Sequence, residues 1–200
     1  KHTNRCSGWV ITCQWQKEDI PFSRLSTMNL IEIRLLNPDE LEKIYQIDRS
    51  EEIEHRYRYI DGELKAFDES ASVPHDPNYW DTYCDKWKAA LGLGSEAFGA
   101  FDEEQLSGIV ILNPNLEPRT EQLLALYVDS NHRMSGIAKS LYLKAENTAR
   151  SRKSKTLYVC ATPTDSSVNF YLSQGFEPAS TPNAGLLNKN PEDIHMTKSL

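Results

Sequence analysis

The chain has 200 residues, with 22 Lys and Arg against 29 Asp and Glu for a formal charge of −7, and 39% of its residues are hydrophobic. Those proportions suit one globular domain with a sizeable core and exclude a disordered or fibrous chain. The longest apolar runs, Gly108–Leu112 and Leu123–Val128, are too short to span a bilayer, and the net acidity argues against sequence-independent nucleic-acid binding, which needs a basic face.

Residues 1–27 hold Trp9 and Trp15 without any sustained period, and the pattern changes from Met28 onward. The expectation is an N-terminal extension over 1–27, either upstream of the functional domain or introduced for expression, followed by a single domain over 28–200. An arm that docks through its tryptophans is the alternative. Leu30–Leu36 reads as a strand. Asn37-Pro38-Asp39-Glu40 supplies a cap, a first-turn proline and first-turn acids for a helix carrying Leu41, Ile44, Tyr45 and Ile47. Asp61-Gly62, the strongest short turn signal, predicts a hairpin of Tyr57–Ile60 with Leu64–Phe67. A proline-bearing loop, Ser72–Asn78, leads to a helix over Tyr79–Leu91 with Tyr83, Trp87 and Ala90 on one stripe. Strands are expected at 97–101, 106–112 and 123–128. A helix over 135–150 then turns Ile137, Ala138, Leu141, Ala145 and Ala149 inward. The strand Thr156–Cys160, a short helix over 165–173 stopped by Gly175, and a last strand at Asp193–Lys198 complete an α/β or α+β pattern.

The most informative stretch runs from Tyr127 to Ala138. A strand enters a short loop, and Gly136 stands where a helix begins. The first amides of a helix have no partners within it, the macrodipole adds positive charge there, and glycine lets an anion come close. First helical turns favour acids. Here Arg133 and Lys139 occupy that neighbourhood, and Glu146 is the first acid inside the helix. Residues 132–155 carry seven Lys and Arg against Glu146 alone, whereas residues 37–105 carry 18 acids and seven bases. An anion site follows, with a solvated basic helix face as the alternative. Neither a P-loop nor a dinucleotide-binding fingerprint is present. Four cysteines (Cys6, Cys13, Cys84, Cys160) lack CxxC or metal spacing, and no leader-like segment is seen, so a cytoplasmic chain with reduced, buried thiols and no metal is expected.

Arg133-Met-Ser-Gly136-Ile-Ala138 resembles the pyrophosphate loop Q/R-x-x-G-x-G/A of the GNAT superfamily of acyl-CoA-dependent N-acetyltransferases. Tyr171-Leu-Ser-Gln-Gly-Phe176 resembles that family's closing Y-x-x-x-G-F. The resemblance is strong over residues 121–178, weaker over 29–113, and does not reach 1–27. It implies a mixed, mostly antiparallel central sheet flanked by helices, with acetyl-CoA as co-substrate. It further implies that Arg133, Met134, Ser135, Gly136, Ile137 and Ala138 cradle the CoA diphosphate, while Leu126, Tyr127 and Val128 pair with pantetheine. Tyr171 then protonates the departing thiolate as a phenol of ordinary acidity. Thr164 stands where many members hold a cofactor-binding Asn, and it also suits a helix N-cap.

The implied reaction is direct attack of a neutral primary amine on the thioester, whose carbonyl a backbone N–H of a bulged strand near Val128 polarises. Glu121 and Asp129 are candidate bases, with His132 a third. Arg150, Arg152 and Lys153 are either 3′-phosphate contacts or a solvated face. Cys160 lacks a histidine at a telling sequence distance, so covalent catalysis is not expected. The acidic upstream half and the aromatics Tyr57, Tyr59, Tyr79, Trp80 and Trp87 suit a small cationic amine or a peptide amine. A non-catalytic CoA or acyl-CoA sensor is the alternative function. A monomer or homodimer without nucleic-acid or membrane partners is expected.

Overall fold

A computed structural model describes residues 31–200, so the expected extension over 1–27 lies outside the described residues. In chain order the strands are β1 (Glu32–Leu35), β2 (Glu51–Ile53), β3 (Arg56–Ile60), β4 (Glu63–Phe67), β5 (Ala71–Val73), β6 (Glu96–Asp102), β7 (Gln105–Glu117), β8 (Thr120–Val128), β9 (Thr156–Ala161), β10 (Glu177–Pro178) and β11 (Ile194–Ser199). The helices are α1 (Asp81–Gly92), α2 (Ile137–Ser151), α3 (Asp165–Ser173) and α4 (Ala184–Lys189), with 3-10 turns at Pro38–Gln46 and Ser130–His132. The central sheet runs β1-β6-β7-β8-β9-β11-β10, and β2/β5 and β3/β4 form two small separate ladders. Every neighbouring pair in the central sheet is antiparallel except β8 with β9. The mixed, mostly antiparallel sheet flanked by helices is the expected architecture.

Local chemistry explains most elements. Asp61 and Gly62 both take positive φ, 54° and 81°, the turn that matches the twist of a two-residue hairpin. The stretch 38–46 forms a helix of 3-10 winding rather than the α-helix its pattern suggests. Its buried residues Leu41 and Ile44, with Ile47 just beyond, repeat every third position, which is the period of that helix, and Tyr45 is left exposed. Glu40 ties its start by accepting from the Asn37 N–H at 3.1 Å and from both guanidinium nitrogens of Arg34 at 2.7 and 2.9 Å. The short strands β2, β5 and β10 and the helix α4 lie where loops are expected from the sequence.

Two apolar layers sandwich the sheet. Leu41, Ile44, Trp80 and Trp87 pack with Ile109, Ile111 and Ala125 on one face. On the other, Ile137, Leu141, Tyr142 and Ala145 of α2 and Val168 and Tyr171 of α3 pack with Val110, Leu123 and Val159. Gly108 sets the seat of α2, because a Cβ there would meet Ile137 Cγ2 at 3.0 Å and Leu141 Cδ1 at 3.1 Å. Gly108 also pairs with Val128, so this close approach puts the start of α2 beside the end of β8. Among the described residues no helix is long and apolar enough to cross a membrane.

Candidate active site

The parallel strands β8 and β9 pair only between Thr120–Leu123 and Thr156–Val159. Against β7, the register of β8 shifts between Leu123 and Ala125, leaving Leu124 as an extra residue. Such a bulge bends its strand and strengthens the twist. Beyond it β8 keeps β7 on one edge through Val128 and, among the described residues, has no strand on the other. The bulge lies at Leu124, and beyond it the edge of Leu126, Tyr127 and Val128 is free of β9. A free strand edge offers alternating N–H and C=O groups to an extended ligand.

Segment 48–57 straps the mouth of this parting. At the β8 end the Asp48 N–H donates to Asp129 Oδ2 at 2.9 Å, and the Ser130 N–H donates to the Asp48 carbonyl at 2.8 Å. At the α3 end the His55 N–H donates to Asp165 Oδ2 at 2.7 Å, and the Tyr57 N–H donates to the Pro163 carbonyl at 3.0 Å.

Where β8 ends, the chain makes one 3-10 turn and then α2 begins. Gly136 takes φ 85° and ψ 0° ahead of Ile137, no side chain caps the helix, and its first turn holds no acid. The first helical hydrogen bond runs from the Ser140 N–H to the Gly136 carbonyl at 3.0 Å, so the amides of Ile137, Ala138 and Lys139 have no helical partner. A Cβ placed on Gly136 meets nothing within 4 Å, which leaves open space in front of these amides. Met134 also takes a positive φ, 59°, with its side chain fully exposed, while the Ile137 side chain is core. Ser135 Oγ donates back to the His132 carbonyl, and the Arg133 guanidinium donates to the Arg49 carbonyl at 3.3 Å. The loop thus fits a diphosphate: open, uncapped, positive and free of acids. Arg150 and Arg152 are not part of it. They sit at the far end of α2, about 20 Å away for a helix of this length, where Arg150 pairs with Glu146 at 2.6 Å and Arg152 with Glu96 and Glu121, each at 2.8 Å.

Tyr171 lies in the core between Phe170 and Phe176, with ring centroids 5.3 Å from each. Burial, and then the neighbouring Cys160 sulfur, push its phenol well above the ordinary tyrosine range, so it is not the phenol of ordinary acidity expected from the sequence. It stays protonated and gives up its proton only to a strong local acceptor. Thr164 is the N-cap residue of α3 by backbone position, but it is buried, with its Oγ1 3.4 Å from Ser166 Oγ. His195 does reach Cys160, with Nδ1 3.7 Å from Sγ. Its Nε2 donates to the Asn190 carbonyl at 3.1 Å, so in the neutral ring Nδ1 accepts from the Tyr158 hydroxyl at 2.7 Å. Burial pushes the Cys160 thiol up to about 11, which closes a covalent route.

The structure does not bring the expected bases to the open edge as bases. Glu121 sits at the opposite end of β8, paired in register with Leu157. It is buried, accepting from Arg152 Nη1 at 2.8 Å and Ser154 Oγ at 2.6 Å. Asp129 follows Val128 directly, but its carboxylate accepts from the Asp48 N–H at 2.9 Å, the Asn131 N–H at 3.0 Å and His132 Nδ1 at 3.0 Å. Those bonds outweigh burial and hold it below the usual range. His132 bridges Asp129 to Asp102, whose Oδ2 is 3.4 Å from Nε2, and Asp129 and Asp102 raise the imidazole. Asp102 Oδ1 is buried with no partner among the described residues, which further favours a charged His132. All three are braces.

His75 is a candidate that no motif or spacing marks. Its Nδ1 lies 3.0 Å from Asp48 Oδ1, and the ring is half-exposed. A carboxylate only accepts, so Nδ1 carries the proton and the neutral ring leaves a lone pair on Nε2. Asp48, drawn down to about 2 chiefly by the Ser50 N–H, remains an anion and fixes that tautomer. Some acids of the upstream half are paired at their own sites, as with Glu42 to Lys88 at 2.7 Å and Glu69 to Arg58 at 2.8 Å, and Glu42, Asp81 and Asp85 line one cleft together with Tyr45 and Lys88. Trp80 and Trp87 are buried against Tyr127, whereas Tyr59 is exposed.

By fold and site together the protein is a transferase of the acyl-transferring class. It belongs to the acetyltransferase (GNAT) family, whose profile matches residues 41–176. No curated protein matches the chain by sequence. Among solved structures, nourseothricin acetyltransferase superposes with a TM-score of 0.63 at 18% identity, covering 84% of this chain and 98% of that one. A putative streptothricin acetyltransferase from Bacillus anthracis str. Ames, in complex with acetyl coenzyme A, gives 0.58 at 17%, covering 86% and 97%. PaiA N-acetyltransferase from Thermoplasma acidophilum, in complex with coenzyme A, gives 0.57 at 20%, covering 86% and 99%.

Proposed function

We propose that this chain transfers the acetyl group of acetyl-CoA to a primary amine by direct attack. The observation that carries this reading is the uncapped start of α2 lying beside the open edge of β8, because one ligand with a diphosphate and an amide-bearing arm engages both. Acetyl-CoA, when bound, supplies an activated thioester for the amine to attack. The amides of 136–139 and the Arg133 guanidinium hold the phosphates. Backbone groups of Leu126, Tyr127 and Val128 align the arm and polarise the carbonyl. His75 Nε2, its ring fixed by Asp48, takes the proton from the amine, directly or through one water. The Tyr171 hydroxyl gives its proton to the sulfur as negative charge gathers there.

Thermal unfolding with acetyl-CoA, followed by thiol release across an amine panel, tests the reading. Wild type gains several degrees at saturating acetyl-CoA. Tyr171→Phe keeps that gain and loses about 10²-fold or more in kcat. His75→Gln keeps that gain in Tm and loses activity, mostly in kcat. A folded sample that shows no shift at millimolar acetyl-CoA refutes the enzyme. Binding without turnover across the panel, with Tyr171→Phe indistinguishable from wild type, establishes a sensor module instead.

A further inference from the structure

Arg49 lies in the strap at the mouth of the parted strands. Its guanidinium stacks on the Tyr79 ring, 3.9 Å from the centroid, and its carbonyl accepts from Arg133. The Tyr79 ring is itself fixed against Trp80 and Tyr83, with centroids 4.9 and 5.0 Å away, and its hydroxyl meets that of Tyr127 at 3.1 Å. The cation is thus half-buried and held in place by an aromatic wall at the end of β8.

Among the described residues no carboxylate pairs with it. The two carboxylates that tie the strap to the end of β8 are committed elsewhere. Asp48 gives its oxygens to His75, Ser50 and Ser130, and Asp129 gives its own to two backbone amides and His132. A half-buried guanidinium without an anion is poorly compensated, and its fork matches a carboxylate in bidentate fashion.

The face on which Arg49 sits separates it from the phosphate cradle. Along β8, Leu126 and Val128 pack into the layer that holds α2, whereas Tyr127 packs into the opposite layer with Trp80 and Trp87. Arg49 and Tyr79 belong to this second side, so Arg49 serves a group other than the one the α2 amides hold. His75 reaches the same mouth through Asp48.

We infer that Arg49 seats the carboxylate of a small amino-acid acceptor, whose carbon skeleton lies along Tyr79, Tyr83 and Tyr127 and whose amine lies toward the open edge of β8. This rests on the acetyl-transfer reading above. It favours a zwitterion over the cationic amine that the upstream charge suggests.

The test uses phenylalanine, methionine, glutamate and lysine, each beside the amine left by its decarboxylation, with wild type, Arg49→Gln and Arg49→Lys. Acetyl-CoA affinity is measured by titration calorimetry in every variant, and amino-acid binding to the CoA-loaded protein is measured the same way. The expected result is acetylation of at least one amino acid in preference to its decarboxylated partner. Arg49→Gln should reduce that preference about 10- to 100-fold through the charge-assisted bonds lost, mostly in KM. Arg49→Lys should recover part of it, with acetyl-CoA affinity unchanged. Comparing each ratio between variants cancels differences in amine basicity. Acetyl-CoA binding by wild type with no amino acid acetylated, or with equal preference in wild type and Arg49→Gln, overturns the acceptor assignment alone. Loss of acetyl-CoA affinity in Arg49→Gln overturns it in favour of a cofactor contact. Absence of acetyl-CoA binding by wild type overturns the acetyl-transfer reading and this assignment together.

Discussion

Replacing Gly136 separates what the phosphate loop needs for its shape from what it needs for its ligand. At φ 85° an L-residue costs about 1–2 kcal/mol. No clash adds to that, since a Cβ there meets nothing within 4 Å. In a domain of this size, about 1 kcal/mol lowers Tm by about 2–4 °C. Gly136→Ala should show a fall of that size, and Gly136→Asn should recover most of it, because asparagine tolerates the left-handed region. Ligand binding should divide differently. A side chain in the space before the uncapped amides obstructs an anion whatever its backbone preference, so both variants should lose about 10- to 100-fold in acetyl-CoA affinity, as for one charge-assisted hydrogen bond. Scanning fluorimetry without ligand reads the first effect and calorimetry the second. Full acetyl-CoA affinity in Gly136→Ala would refute the cradle, and an unchanged Tm would refute the left-handed conformation.

Glu121→Gln should destabilise the fold by about 1–3 kcal/mol in urea unfolding, because a buried acceptor of Arg152 and Ser154 loses its charge. Turnover per folded molecule should stay at the wild-type value, and a large loss of kcat at intact stability would restore Glu121 as a base. His132 is held above its ordinary value by Asp129 first, so its contribution to stability is complete below about pH 6.5 and fades as pH rises through the raised value. The unfolding free-energy difference between wild type and His132→Gln should therefore shrink as pH rises from about 6.5 through the raised value. A difference that grows with pH contradicts the charged bridge.

What could be read from the sequence was local. The hairpin at Asp61-Gly62, the inward stripe of α2 and the turn into the helix at Gly136 each announce themselves within a few residues, and the structure differs only in leaving Ala138 half-buried and adding Tyr142 to the stripe. The roles of the acids were not legible, because decisive partners of each lie far along the chain. Asp129 is answered by the Asp48 N–H, and Glu121 by Arg152 and Ser154. The pairing of His75 with Asp48 and the stacking of Arg49 on Tyr79 are equally invisible before the strap folds over the mouth. The parting of β8 from β9 is a matter of register, and a single extra residue at Leu124 leaves no compositional trace. Even the winding at 38–46 turns on whether its apolar positions are counted by threes or by fours.

The same parting has a mechanical side. It divides the sheet into two rafts, β1-β6-β7-β8 and β9-β11-β10, joined edge to edge only over Thr120–Leu123 and Thr156–Val159. Elsewhere α2 packs across the joint, and the strap is tied to Asp129 at one side and Asp165 at the other. In the proposed reaction a ligand lying along β8 stands in for the missing length of strand, so its binding is expected to close a seam in the fold as well as to place a thioester. Amide exchange along β9 and β11 should then report ligand binding, although on that reading the arm hydrogen-bonds to β8, and the parting is the line along which the protein without ligand is expected to open first.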